Sequence, residues 1–279
     1  MQEHPHALEV PPTVSGRIVL DPREGSHIPP KPAARPRLEA VWARHEDEVR
    51  AAQRLRHRVF AEEMGACLRS LHGTPPGHDC DLYDRHCEHL LVRTVATDER
   101  PSEVVGTYRL LTPTAARMVG GLYTETEFDL VRLARLRPRL AELGRSCVDP
   151  GWRSGGVILM LWSSLADFMV RNRLDLMIGC ASVPMRDGGY AAASLWQQLR
   201  RSHLAPIERH VLPRLPLPVD ELRCDLAVEP PPLVKGYLRC GAKLLGPPAW
   251  DPDFGTADLP LMLDLNDATD AFRRHFLTR

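Results

Sequence analysis

The stretch from Leu140 to Val183 constrains the fold more than any other part of this chain. LAELGRSCV (140–148) is apolar enough for a strand, DPGWRSGG is a glycine-rich turn, and Val157 to Asn172 carries apolar residues at helical spacing. LDLMIGCASV (174–183) then reads as a second strand. Strand, helix and strand in direct succession need a parallel crossover. Just ahead of them, HLLVRTVA (89–96) and VVGTYRLL (104–111) flank the polar turn TDERPSE and read as an antiparallel hairpin. A chain that holds both units must build a mixed sheet.

The remaining pattern fits around that sheet. LEAVWA, from Leu38, predicts a first strand. Glu46 to Met64 predicts a helix, with Val49, Ala52, Leu55, Val59 and Phe60 near helical spacing. Gly65 to Glu88 is a long loop rich in Gly, Pro, His and Asp, a kind usually tied to function. Residues 112–139 read as irregular. Helices are expected over Tyr190 to Ser202 and Leu233 to Cys240, and a last strand over LPLMLDL (259–265). The fold class is therefore α/β, a mostly antiparallel sheet flanked by helices. No repeat or linker divides residues 37–279, so a single domain is expected. Residues 1–36 carry eight prolines and read as a disordered tail.

Charge and composition exclude several classes. Lys plus Arg and Asp plus Glu both number 36, so no global field points to nucleic acid. The start has no basic and then apolar run of a signal peptide. The most apolar stretch, Val157 to Val170, is broken by Ser163, Ser164 and Asp167 and is too short to span a bilayer. Seven cysteines without a CxxC pair suit a reducing compartment. The expectation is a soluble, cytoplasmic protein.

Four constellations could carry chemistry. The turn Arg153-Ser154-Gly155-Gly156 can bring backbone N–H groups and a helix N-terminus to a phosphate, with Arg153 as a mobile cation; the bland alternative is a glycine-permitted turn. Glu142 and Arg145 lie three apart on the preceding strand, so they share a face only if a bulge intervenes at Gly144. Glu142 there is either a base for an amine or half of a structural ion pair. Asp81 and Asp84, with Arg109 in an apolar strand, form either a pocket for a zwitterion or a buried ion pair. HDCDLYDRHCEH (78–89) is dense in Cys and His but closes no standard zinc spacing, so no metal is expected. In addition, residues 198–214 set Arg200, Arg201, Arg209 and Arg214 among apolar residues against Glu208 alone, which suits an acidic partner or an anionic membrane surface.

Taken together, these motifs resemble a known family. Arg153 and Gly156 are similar to the [QR]-x-x-G-x-[GA] donor loop of the GNAT acyltransferases, although Ile158 stands where a small residue is usual. Arg56 with Phe60, Asp81 with Asp84, Arg109, and Glu142 with Arg145 resemble the acyl-homoserine-lactone synthases, whose tryptophan is replaced here by Ala66. LRHRVFAEEMGA, ELGRSCVDPGWRSGG, LMIGCAS and PPLVKGYLRCGA resemble more closely the ornithine acyl-ACP N-acyltransferases, from about Leu38 to the C-terminus. The resemblance implies transfer of a (3-hydroxy)fatty acyl group from acyl carrier protein to the α-amine of L-ornithine, giving lyso-ornithine lipid. It implies Glu142 and Arg145 as catalytic residues. Arg56, Phe60, Asp81, Asp84, Arg109 and Ser182 would bind substrate, and Val148, Arg153, Gly155 and Gly156 the phosphopantetheine. No cofactor is implied beyond the co-substrate acyl-ACP, and peripheral contact with the inner membrane would run through 198–214. The alternatives are another N-acyl amino acid synthase, a lactone synthase, or a non-catalytic lipid- or carrier-protein-binding protein.

Overall fold

The computed structural model describes residues 36–277; of the proline-rich tail expected over 1–36, all but Pro36 lies outside the described residues. The strands are β1 (Leu38–Trp42), β2 (Glu88–Thr94), β3 (Val104–Leu111), β4 (Phe128–Asp129), β5 (Leu140–Val148), β6 (Leu176–Pro184), β7 (Leu212–Pro213), β8 (Lys243–Leu244), β9 (Ala249–Asp251) and β10 (Thr256–Asp264). The helices are α1 (Glu46–His57), α2 (Pro113–Val119), α3 (Thr124–Glu127), α4 (Gly156–Arg171), α5 (Tyr190–His203), α6 (Pro232–Cys240) and α7 (Asp270–Phe272).

The main sheet runs β1-β2-β3-β5-β6-β10-β8, with β9 beside β10, while β4 and β7 pair separately. The expected hairpin is β2–β3, and the crossover β5-α4-β6 makes the parallel pair. That pair is short: Leu140, Ala141 and Glu142 face Leu176, Met177 and Ile178. Beyond them β5 and β6 are not paired with each other.

Helix α1 opens on a cap in which the Glu48 carboxylate accepts the Arg44 N–H at 2.7 Å and the His45 N–H at 3.4 Å. Acids fill its first turn and bases its last, which complements the helix dipole. The helix expected to reach Met64 is α-helical only to His57. Residues Arg58–Glu63 continue as a wider π turn, which shifts the side chains that follow.

The interior forms on both faces of the sheet. Leu161, Leu165 and Met169 of α4 bury against Leu90, Val92, Val105 and Ala141 on one face. Leu55, Val59 and Phe60 pack with Cys147 on the other. A fully buried leucine such as Leu161 contributes about 2 kcal/mol by removal from water. The stretch 112–139, expected to be irregular, holds α2, α3, β4 and a 3-10 segment. Helix α2 is started by the Thr112 hydroxyl, which accepts the Ala115 N–H, with proline in its first turn.

Candidate active site

Strand β5 carries one more residue than its partner. Thr107 pairs with Cys147 but Arg109 pairs with Gly144, so three steps on β5 match two on β3. Arg145 absorbs the extra residue with φ of 51°. The bulge puts Glu142, Arg145 and Cys147 on the face of the sheet opposite α4, together with Arg109 of β3.

On that face the loop 65–88 is tied down by ions. The Arg56 guanidinium, wholly buried, donates to Asp84 Oδ1 at 2.9 Å and to Oδ2 at 2.7 Å, and to the Asp79 carbonyl. Its Nε lies 2.9 Å from Asp79 Oδ2. Arg109 donates to Asp81 at 2.7 Å. Arg145 donates to Asp81 Oδ2 at 3.2 Å and lies 3.2 Å from Asp79. Three arginines thus meet three aspartates and their charges cancel. Burial would raise the Asp84 carboxyl, but Arg56 and Arg109 hold it well below the usual carboxylate range. Asp81 is lowered in the same sense, against its burial, by Arg109 and Arg145. Arg145 also stacks its guanidinium over Tyr123 and Phe254, each at 4.9 Å.

Glu142 is buried beside this network and accepts three hydrogen bonds. The Tyr123 N–H reaches it at 2.7 Å, the Thr124 N–H at 2.6 Å and the Thr124 hydroxyl at 2.5 Å. It therefore anchors the start of α3. Burial raises its pKa against the pull of the Thr124 donors.

The donor-loop residues lie where β5 enters α4. Gly155 caps the helix at φ of 99°, a left-handed conformation that favours glycine, and Gly156 opens the first turn. Arg153 is clamped on Glu63 at 2.5 and 2.6 Å, and its Nε donates to the Val148 carbonyl at 3.0 Å. On the α4 side of the sheet, beside the end of the β5–β6 pairing, lies an apolar cavity lined by Leu143, Leu165, Gly179, Cys180, Leu261 and Tyr237, among others. No side chain could stand at Gly179, whose β-carbon would strike the Leu143 carbonyl oxygen.

The structure places the other expected residues as follows. Phe60 is buried in an apolar cluster, edge-on to Phe254 at 5.7 Å. Ser182 is exposed on β6, in register with Asp258 of β10. In the 198–214 segment, Arg200 lies over the Trp196 ring at 5.6 Å and Arg201 is exposed. Arg209 is paired with Asp264 at 3.1 Å, and Arg214 donates to the Glu125 carbonyl at 2.7 Å. No helix among the described residues is long and apolar enough to cross a membrane.

Sequence reasoning missed Asp79, hidden among the Cys and His of its loop. It also missed Glu127, Asp251 and Asp258. The one local signal for them was Asp258, a carboxylate inside the apolar run TADLPLMLDL.

Residues 55–163 match the family described as the acetyltransferase (GNAT) domain. An L-ornithine N(alpha)-acyltransferase of Agrobacterium fabrum is 35% identical over 249 residues, covering 86% of this chain and 85% of its own. One from Rhodobacter capsulatus is 36% identical over 256 residues, covering 86% and 95%. Among solved structures, FeeM, an N-acyl amino acid synthase from uncultured soil microbes, shares the fold with a TM-score of 0.51. It is 14% identical, over 88% of this chain and 97% of that one.

Proposed function

The chain belongs to the L-ornithine N(alpha)-acyltransferases, enzymes of the GNAT fold, and from that membership we propose that it acylates the α-amine of L-ornithine. The donor in this reading is a (3-hydroxy)fatty acyl thioester on the phosphopantetheine of acyl carrier protein, and the product is lyso-ornithine lipid. The observation that carries it is the parting of β5 and β6 after Glu142, beside an apolar cavity and the N-terminus of α4.

Each part of a thioester has a counterpart there. Free N–H groups at the start of α4, with Arg153, suit the phosphate. The facing edges of β5 and β6 have no partner in each other, which leaves backbone groups for pantetheine amides and for a developing oxyanion. The cavity suits an acyl chain. In the reaction the unprotonated amine attacks the thioester carbon, a C–N bond forms and the C–S bond breaks. The pantetheine sulfur leaves as thiolate and ends as thiol, with the proton the nitrogen gives up. No covalent enzyme intermediate is required, and geometry supplies much of the rate. Glu142, Arg145 and the aspartate–arginine network form the polar wall on the acceptor side, with Glu142 as the group that takes or holds the proton.

The test is turnover of purified protein with 3-hydroxyacyl-ACP or acetyl-CoA against a panel of amino acids. The expected product is N-acyl-ornithine, made far better from acyl-ACP than from acetyl-CoA. An acyl lactone from adenosylmethionine, or no product with any amine, overturns the reading.

A further inference from the structure

Ornithine carries two ammonium groups, and the site described so far accounts for only the one that reacts. The aspartates of the loop 65–88 are unsuited to the second, since Asp79, Asp81 and Asp84 each face an arginine already. A different cluster has carboxylates and no base. Glu127 at the end of α3, Asp258 on β10 and the Cys180 thiol on β6 bring their ligand atoms within 4.8 Å of one another. Asp251, on the neighbouring strand β9, adds a third carboxylate close enough to be felt by both acids.

Both oxygens of Glu127 are buried, and beside the Asp258 carboxyl and the Cys180 thiol they find no basic group among the described residues. Asp258, also buried, accepts the Thr256 hydroxyl at 2.8 Å. Asp251 accepts the N–H groups of Asp253 and Phe254. No ion pair with Lys, Arg or His forms at Glu127, Asp251 or Asp258 among the described residues. Buried like charges left this way are costly, and burial with Asp258 and Asp251 nearby pushes the Glu127 carboxyl up to about 9. An ammonium ion would offer three donors to such a group.

The position is right for a substrate. Cys180 lines the apolar cavity, and its sulfur lies 4.0 Å from the Thr124 hydroxyl that donates to Glu142. The acidic cluster is thus joined through Thr124 to the proposed reacting centre. Exposed Ser182, in register with Asp258, borders it toward solvent.

We propose that Glu127 and Asp258, supported by Asp251, bind the side-chain ammonium of the amino-acid acceptor and so select a dibasic amino acid. This inference rests on the ornithine reading above. It gives the enzyme a specificity device separate from the group that handles the reacting amine.

The experiment compares ornithine with norvaline, which keeps the carbon chain and lacks the terminal ammonium, as acceptors for acyl-ACP. Wild-type protein, Glu127→Gln and Asp258→Asn are each assayed, and binding of both amino acids is followed by thermal shift. Wild-type kcat/KM should favour ornithine by about a hundredfold or more, as expected where a buried group loses its partner. Each substitution should shrink that ratio at least about tenfold and abolish the thermal shift given by ornithine. If wild-type protein acylates ornithine but the substitutions keep the ratio and the shift, the inference fails and the ornithine reading stands. If wild-type protein acylates other amines and not ornithine, both fall. A stoichiometric divalent metal that copurifies with wild-type protein and is lost in Asp258→Asn also overturns the inference.

Discussion

Arg145 and Glu142 lie on one face of the sheet because β5 carries an extra residue between them. Without the bulge, a spacing of three would send one of them into the core beneath α4. The bulge thus brings the guanidinium to Asp79 and Asp81 while the carboxylate reaches the start of α3.

Glu142→Gln separates proton transfer from anchoring. The amide can still accept, but its NH2 must face a donor it cannot satisfy, at a cost of about 1–3 kcal/mol in stability. If the carboxylate takes the proton, turnover at neutral pH falls by about 10²-fold or more and recovers as rising pH deprotonates the amine. A purely structural role gives a lower Tm with an unchanged pH profile. Full activity at every pH in a folded variant removes Glu142 from the chemistry.

Arg153→Ala tests the donor loop. The clamp on Glu63 holds the guanidinium beside the start of α4, so phosphate and Glu63 compete for it. A charge-assisted contact contributes about 1.5–3 kcal/mol, so the KM for acyl-ACP should rise about tenfold or more with a smaller change in kcat. An unchanged KM takes Arg153 out of the site.

The Asp84 carboxyl titrates lower in the folded state than in the unfolded chain. Its contribution to stability is therefore complete above about pH 4 and is lost as pH falls further. Asp84→Asn removes it at every pH and leaves Arg56 buried with one partner fewer, which should cost about 3–5 kcal/mol. Urea unfolding at pH 7 and pH 3 checks both parts: the variant should be the weaker at pH 7, with the gap narrowing in acid. Equal stability at pH 7 contradicts the account.

Much of this was legible in advance. Apolar runs bounded by turn residues mark β2, β3, β5 and β6, helical spacing marks α4, and the three-residue spacing of Glu142 and Arg145 already requires a bulge if both are to act together. The residues of the aspartate–arginine network were visible in the motifs, except Asp79, which has no spacing to distinguish it. Short helices α2 and α3 were not visible, because each depends on caps and on packing more than on a long apolar face. The Glu127–Asp251–Asp258 cluster could not be read either. Asp251 and Asp258 sit on the neighbouring strands β9 and β10, but Glu127 lies far from them in sequence and nears them only through the placing of β10 beside β6, a choice of topology that no local pattern records.

Arg200 and Arg201 of the basic segment are both exposed, and Ile207 and Leu212 nearby are 65% and 67% exposed. If acidic acyl carrier protein docks there, activity on acyl-ACP should drop steeply from low to moderate salt, as the screening length shortens to about 10 Å. Reversing both arginines to Glu should reproduce that drop at low salt without changing Tm. Wild-type kinetics and liposome binding in the double reversal would make the segment ordinary surface.

N-acylation of ornithine by a carrier-bound fatty acid is read most directly in a host's lipids. A bacterium that lacks ornithine lipids, expressing this chain, should accumulate a new lipid. Tandem mass spectrometry should show an ornithine headgroup with a single amide-linked (3-hydroxy)fatty acyl chain on the α-nitrogen, absent when Glu142→Gln is expressed. An acyl homoserine lactone, acylation of a different amine, or an unchanged lipid profile with folded protein present would contradict the account.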